Sequence, residues 1–538
     1  MKSVMTHLRG VIFFVLCQLA MTSQAAEWQW SVPLQNISKE TNRPSEAFLW
    51  IPPTCHDVRG VVLGKHNMCE EPLFEHPAFR KAMCELGFAI VWITPGIDIN
   101  WDVQKGTQQI FDQMMDSLAK VSGYHELAQA PVVPVGHSAM ATFPWNFAAW
   151  NADRTLAVIS LHGDAPRTNM TGYGGANLEW GRNRNIDGIP GLMIEGEYEW
   201  AQDRINPALA FRLMYPKSTV SFLADVGHGH FDVSDKLVDY ISLFLRKAAA
   251  YRLPQNPESP VVLKKLDPKT GWLAERWSPL STKRCQPAPF HRYKGDAHDA
   301  FWYFDEEMAR ATERYYASER GKREQYIGFM QDDKMLAFHP NLHARIQADF
   351  HPEEDGLTFH LKAVYADTLR AKKSSAHAAT PIHVNRICGP VSKVNDSTFR
   401  VNFYRMGMDN PRRTNDIWLL ASSDGDKRYK STVQQLNLRI SYRNTTGKRQ
   451  AIFFPSIPDV MAGTKEMKLN AESDCKLPIH YYIKYGPAEV DGDQIRFTAI
   501  PPKAQYPIKV SVVAWQYGLA GKVHSAEPVE RVFYITKP

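Results

Sequence analysis

From residue 27 to about 250, short apolar runs alternate with stretches whose apolar residues recur every three or four positions. Gly60–Leu63, Phe88–Ile93, Val132–Val135, Leu156–Leu161, Gly191–Glu195 and Thr219–Ala224 are nearly unbroken apolar runs, the pattern of strands buried on both faces. Between and after them, Pro77–Leu86, Gln109–Val121, Ala139–Trp150 and Ser234–Ala250 carry helical spacing. Strand–helix alternation of this kind predicts a parallel sheet covered by helices on both faces.

The pattern changes at about residue 253. Pro254, Pro257, Pro260, Pro268, Pro279, Pro287 and Pro289 crowd residues 253–290, which predicts a linker wrapping the surface. A helix is expected over Asp299–Glu319. The apolar period then becomes two, in His343–Phe350, Leu357–Val364, Phe399–Tyr404, Ile417–Ala421, Leu436–Tyr442 and Ala451–Phe454. Turn residues separate these runs, as in a β-sandwich. Ile479–Tyr485, Gln494–Ala499, Ile508–Trp515 and Arg531–Ile535 continue the rhythm to the end. The expected organisation is an α/β domain over residues 26–252, a linker over 253–290, a helix plus β-sandwich over 291–455, and an immunoglobulin-like β domain over 456–538.

Residues 1–25 read as a secretory signal: Lys2 and Arg9 precede the apolar stretch Gly10–Met21, and Ser23-Gln24-Ala25 is a small-x-small cleavage site. The mature chain is expected to start near Ala26, to be secreted or periplasmic, and to hold no membrane segment after cleavage. Six cysteines then remain, Cys55, Cys69, Cys84, Cys285, Cys388 and Cys475. Export permits disulfides among them, and without a Cys-x-x-Cys pair a zinc knuckle is not expected. The net charge of +6 is spread over 538 residues with no basic run interleaved with aromatics, which argues against a nucleic-acid partner.

Gly136-His137-Ser138-Ala139-Met140 lies between a predicted strand and a predicted helix. A nucleophile elbow needs that context, because a tight turn lifts the serine hydroxyl clear of the sheet. It also aims the N–H of the next residue, Ala139, at a developing oxyanion. Met140 stands where the pattern usually has a second small residue. In chain order an acid and then a histidine should follow. Glu199 lies just past a strand end, with Glu197 and Asp164 as alternatives. His230, in Gly229-His230-Phe231-Asp232, follows the last strand, with His228 as the alternative base. The His-x-His pair lacks further ligands nearby in sequence, so no metal is expected. The second oxyanion donor is expected from the loop after Gly60–Leu63, at the backbone of Lys65, His66 or Asn67.

With GHSAM, GEYEW and GHGHFD in this order, the first domain resembles the α/β-hydrolase superfamily. The whole chain resembles large secreted bacterial hydrolases of the esterase kind, in which such a domain precedes β-sandwich modules. The resemblance implies a Ser–His–Glu triad acting on esters without a cofactor. Export, a short segment before the Gly191 strand that leaves no room for a large lid, and the appended β modules point to a carbohydrate ester as substrate. A serine peptidase, or a glycan-binding protein with a degenerate hydrolase domain, are the competing expectations.

Overall fold

The computed structural model describes residues 27–168, 178–255, 260–279 and 284–537; the expected signal segment lies outside them. No helix among the described residues is long and apolar enough to cross a membrane.

The first domain is built on an eight-stranded sheet: β1 (Trp30–Pro33), β2 (Glu46–Trp50), β3 (Gly60–Lys65), β4 (Phe88–Thr94), β5 (Val132–His137), β6 (Val158–Leu161), β7 (Pro190–Gly196) and β8 (Thr219–Asp225). The strand order is β1-β2-β4-β3-β5-β6-β7-β8. β1 and β2 are antiparallel, β2 is antiparallel to β4, and every pairing from β4 to β8 is parallel. This is the strand order that the resemblance to the α/β-hydrolase superfamily implies. Every residue of β3, β4, β5, β7 and β8 is buried, which explains their unbroken apolar runs. Helices α1 (Glu70–Glu75), α2 (Pro77–Leu86), α3 (Thr107–Ser122), α4 (Phe143–Trp150), α5 (Gln202–Met214) and α6 (Asp235–Arg252) cover the sheet. From β3 the chain goes first to β4 on one side and later to β5 on the other. That reversal opens a crevice at the carboxyl ends of β3 and β5, where ligands of open α/β sheets bind.

Several elements differ from expectation. The helix after β5 begins at Phe143, because Ser138–Met140 forms a separate 3₁₀ turn. α5 was not anticipated, since Pro207 lies inside it and proline marks a helix interior as broken. The proline-rich stretch is not a free linker. Within it Trp272–Glu275 pairs with Ala288–Pro289 and with Ala300–Tyr303. Ala300–Tyr303 belongs to the core of the α/β domain: Ser221 Oγ donates to the Trp302 carbonyl at 2.6 Å and Tyr303 Oη to the Phe222 carbonyl at 2.6 Å. The expected helix over Asp299–Glu319 is therefore shorter, α7 (Glu306–Ala317), starting where Asp305 accepts the Met308 N–H as N-cap.

Two β units follow. In the first, a four-stranded sheet that includes His383–Cys388, Asp416–Ser423 and Thr432–Arg439 lies against a three-stranded sheet of Thr358–His360, Val391–Asn395 and Thr398–Val401. Phe359, Phe399, Ile417, Leu419 and Leu436 fill the shared core. In the second, a four-stranded sheet containing His480–Tyr485, Ile508–Trp515 and Val529–Thr536 pairs with a three-stranded sheet containing Ala488–Asp491 and Gln494–Phe497. Ile452–Phe453 pairs with Glu472–Ser473, so it joins the last unit rather than the one before. Of the expected strand His343–Phe350, Gln347–Ala348 is paired in a sheet and Ile346 makes an isolated bridge to Phe338.

The first β unit docks on the α/β domain through charge. Arg405 reaches Glu71 at 2.6 Å and Glu75 at 2.7 Å, Arg386 reaches Glu71 at 3.0 Å, and Arg413 Nη1 donates to the Asn67 carbonyl at 3.0 Å. The side chains of Arg405 and Glu71 are each 2% exposed. Removing one member of a buried pair strands the other, at a cost of about 3–5 kcal/mol. Arg405→Ala is thus expected to lower the urea midpoint of the intact chain clearly; an unchanged midpoint would show that these pairs contribute little.

Candidate active site

Ser138 has φ +51°, a left-handed conformation that a serine adopts only when its surroundings hold it there. The turn needs close approach. A Cβ on Gly136 would stand 2.0 Å from the Met140 carbonyl oxygen, and one on Gly163 would stand 1.9 Å from Ala141 Cβ. The small residues that let strand and turn pack are therefore Gly136, Ala141 and Gly163. Met140 is buried and turns its side chain toward Gly96, where an added Cβ would meet Met140 Cε at 2.9 Å. The departure at Met140 is thus absorbed by a glycine in the loop after β4, and the elbow keeps its form.

His230 Nε2 lies 2.7 Å from Ser138 Oγ. Burial pushes the His230 imidazolium well below its usual pKa, and the neighbouring His137, His162, Arg204 and His343 add to the effect. A neutral imidazole facing a serine hydroxyl accepts its proton. Glu199 Oε2 lies 3.6 Å from His230 Nδ1. That is beyond hydrogen-bond length and within reach of an ion pair once the imidazolium forms. Burial raises the Glu199 carboxyl, opposed by Arg345, His162 and Arg204.

The other candidates have different partners. Glu197 accepts from Gly227 N–H at 2.8 Å and pairs with Lys430 at 2.6 Å. Asp164 is fully buried beside Thr142 and Arg204. His228 Nδ1 is bonded to Asp232 rather than to Ser138. Ala139 occupies the first turn after Ser138, where N–H groups have no partner within the helix. Lys65 and His66 do not provide the second oxyanion donor. β3 runs on to Lys65, and the His66 N–H is consumed by the Ile93 carbonyl at 2.8 Å. The Lys65 ammonium lies 4.0 Å from the Phe143 ring centroid and donates to the Asp98 carbonyl. Burial lowers its pKa to about 7 against the pull of Asp98 and Glu70. The next two loop N–H groups, of Asn67 and Met68, both donate to Glu70 Oε2 at 3.1 Å.

The roles of four residues around the site were not anticipated from the sequence. Glu70, fully buried, also accepts the His137 N–H at 2.8 Å and so ties the β3 loop to the nucleophile strand. His137 Nε2 and His162 Nδ1 each lie 2.8 Å from the His230 carbonyl oxygen. Burial lowers the pKa of His137 to about 3, so its one ring N–H goes to that carbonyl. Its Nδ1 faces the Asn67 amide nitrogen at 3.2 Å. The fourth, Arg345, comes from the first β unit and lies 3.5 Å from Glu199 Oε1. The His137 and Glu70 roles were hinted at by their places in the elbow motif and the β3 loop; Arg345 had no local signal.

No protein-family model matches the chain, and no curated protein sequence matches it. Solved structures that resemble it include the fluorophosphonate-binding serine hydrolase F of Staphylococcus aureus in a substrate-bound form (12% identity, 42% of this chain and 98% of that chain, TM-score 0.28). An S-formylglutathione hydrolase from Agrobacterium tumefaciens is similar at 12% identity over 41% of this chain and 94% of that chain, with a TM-score of 0.30. Est1E from Butyrivibrio proteoclasticus is similar at 13% identity over 41% of this chain and 99% of that chain, with a TM-score of 0.27.

Among the described residues, Asp225, His228 and Asp232 bring three possible metal-ligand atoms within 4.8 Å of one another. A proton already fills this role. Burial opposes charge on His228, but Asp225 and Asp232 outweigh it and hold its pKa at about 9, so a divalent ion would have to displace that proton. A histidine raised above its unfolded pKa stabilises the fold fully below about 6.5. The stabilisation is lost as pH rises through about 9, and it amounts to about 3 kcal/mol. The thermal midpoint is expected to fall across this window, and His228→Gln to remove the fall. A wild type and variant with parallel profiles would contradict this assignment.

Proposed function

We propose that this chain is a serine hydrolase that cleaves carboxylic esters. The observation that carries the reading is the 2.7 Å contact between Ser138 Oγ, on a left-handed turn at the end of β5, and a neutral, buried His230 Nε2. Ser138 Oγ attacks the ester carbonyl carbon as His230 takes its proton. The imidazolium, stabilised by Glu199, returns that proton to the departing alkoxide. Water, deprotonated by His230, then releases the acid and restores Ser138. Ala139 N–H supports the oxyanion.

The substrate class we favour is an acetyl, methyl or hydroxycinnamoyl ester on a polysaccharide. The signal-like residues 1–25 and the two appended β units support this choice. The catalytic reading is favoured over a degenerate one because Met140, the residue that departs from the elbow pattern, is accommodated without displacing Ser138 from His230.

Turnover of p-nitrophenyl acetate and of esterified polysaccharides, read as released acetate, methanol or hydroxycinnamate, tests the proposal. Ser138→Ala is expected to reduce kcat by more than about a thousandfold. Glu199→Gln should cost about a hundredfold or more, with Glu197→Gln leaving kcat within about threefold of the wild type. Full activity in Ser138→Ala would contradict the reading, and a larger loss in Glu197→Gln than in Glu199→Gln would reassign the acid.

A further inference from the structure

The loop spanning residues 338–346 carries the first β unit to the mouth of the Ser138 site. Phe338 and Ile346 close it with an antiparallel bridge. Within it the His339 N–H donates to the Arg345 carbonyl at 2.7 Å, Leu342 N–H to the His339 carbonyl at 3.0 Å, and Arg345 N–H to the Leu342 carbonyl at 3.1 Å. Ala344 is buried in one apolar cluster with Phe231 and Trp418. The His343 ring meets Phe231 edge-on, with centroids 4.8 Å apart, and stands 5.8 Å from the His230 ring. Gln435 Nε2 fixes the His343 carbonyl at 3.2 Å. The loop is thus a closed, anchored unit pressed against the residue that follows the catalytic histidine.

Arg345, next to last in the loop, faces the triad acid. Glu199 is bracketed, with one carboxylate oxygen 3.6 Å from His230 Nδ1 and the other 3.5 Å from Arg345 Nη2. Arg345 has φ +62°, a left-handed conformation that costs energy for a long side chain and persists only where surroundings impose it. The hydrogen bonds of the loop impose it here. The other groups facing Glu199 are Arg204, His162, Gln435 and Glu195. Arg204 is engaged by Glu195 at 3.3 Å and Asp164 at 3.6 Å. Among the described residues, Arg345 is the cation within ion-pair distance of Glu199.

We propose that Arg345 is a positioning residue for the triad: the β unit reaches across the domain boundary and holds the Glu199 carboxylate toward His230, so that the active site is complete only with that unit docked. The inference rests on the serine-hydrolase reading. Without the guanidinium the carboxylate is free to turn from His230, and misplacement on the ångström scale lowers rate rather than binding. Arg345 also opposes the effect of burial on Glu199. Its loss raises the Glu199 pKa, which moves the acid limb of the pH–kcat profile to higher pH.

The test compares Arg345→Gln, Arg345→Lys, Glu199→Gln and the Arg345→Gln/Glu199→Gln double variant in the full chain. The readouts are p-nitrophenyl acetate turnover and the rate of labelling by a fluorophosphonate. Arg345→Gln is expected to lose about tenfold to a hundredfold in kcat with KM nearly unchanged and the acid limb raised. Arg345→Lys should recover much of the loss, and the double variant should be no slower than Glu199→Gln alone. The inference is overturned if Arg345→Gln stays within about twofold of the wild type with an unmoved acid limb, or if it costs as much in the Glu199→Gln background as alone. A wild type that neither turns over ester nor takes the label would instead overturn the serine-hydrolase reading, and this inference with it.

Discussion

The site depends on how the His230 carbonyl is held. A histidine on the loop after the last strand must keep its ring over a serine three strands away. Here the backbone oxygen of that histidine lies 2.8 Å from one nitrogen of the His137 ring and one of the His162 ring. His137 precedes Ser138 and His162 follows β6, so the loop is tied to the ends of β5 and β6 at once. Leaving a buried carbonyl unmet would cost about 1–3 kcal/mol. The same bonds that satisfy it fix the distance from His230 to Ser138. His162 takes φ +45° to make its contact, a strain the junction holds in place.

The remaining parts are arranged around that junction. Glu70 gathers three backbone N–H groups and joins the β3 loop to the start of the elbow. Its neighbour Glu71 is held from outside by Arg386 and Arg405. On the other side of the site, Lys430 and the Ser431 carbonyl hold Glu197 and the Tyr198 hydroxyl, next to Glu199. The first β unit therefore grips both loops that frame the crevice. In the proposed function, this makes the β unit part of the device that fixes catalytic geometry.

Much of this was legible in the sequence, for a physical reason. Strands buried on both faces write themselves as apolar runs, and Ser138, Glu199 and His230 each sit just past one. Where two candidates shared a strand end, the sequence could not choose. His228 and His230 were separated only by the Asp232 carboxylate that engages the former. Lys65 and His66 were misassigned because β3 continues beyond its apolar core, and the sheet uses the His66 N–H. The 272–303 sheet was hidden by prolines that border its strands or, as Pro289 does, end one. Arg345 was invisible because a contact between residues so far apart in sequence, made from a segment patterned like a strand, leaves no local trace.

The central claim is that Ser138 is the nucleophile of an acyl-transfer reaction with His230 as its base. The most direct measurement is mass-spectrometric peptide mapping of the protein quenched in acid during turnover of an activated acetyl ester. The account predicts one acetyl group on the peptide carrying Ser138, formed in a burst in the wild type and absent from both Ser138→Ala and His230→Gln. Steady turnover with the adduct on another residue, or with the same adduct in His230→Gln at the wild-type rate, would contradict it.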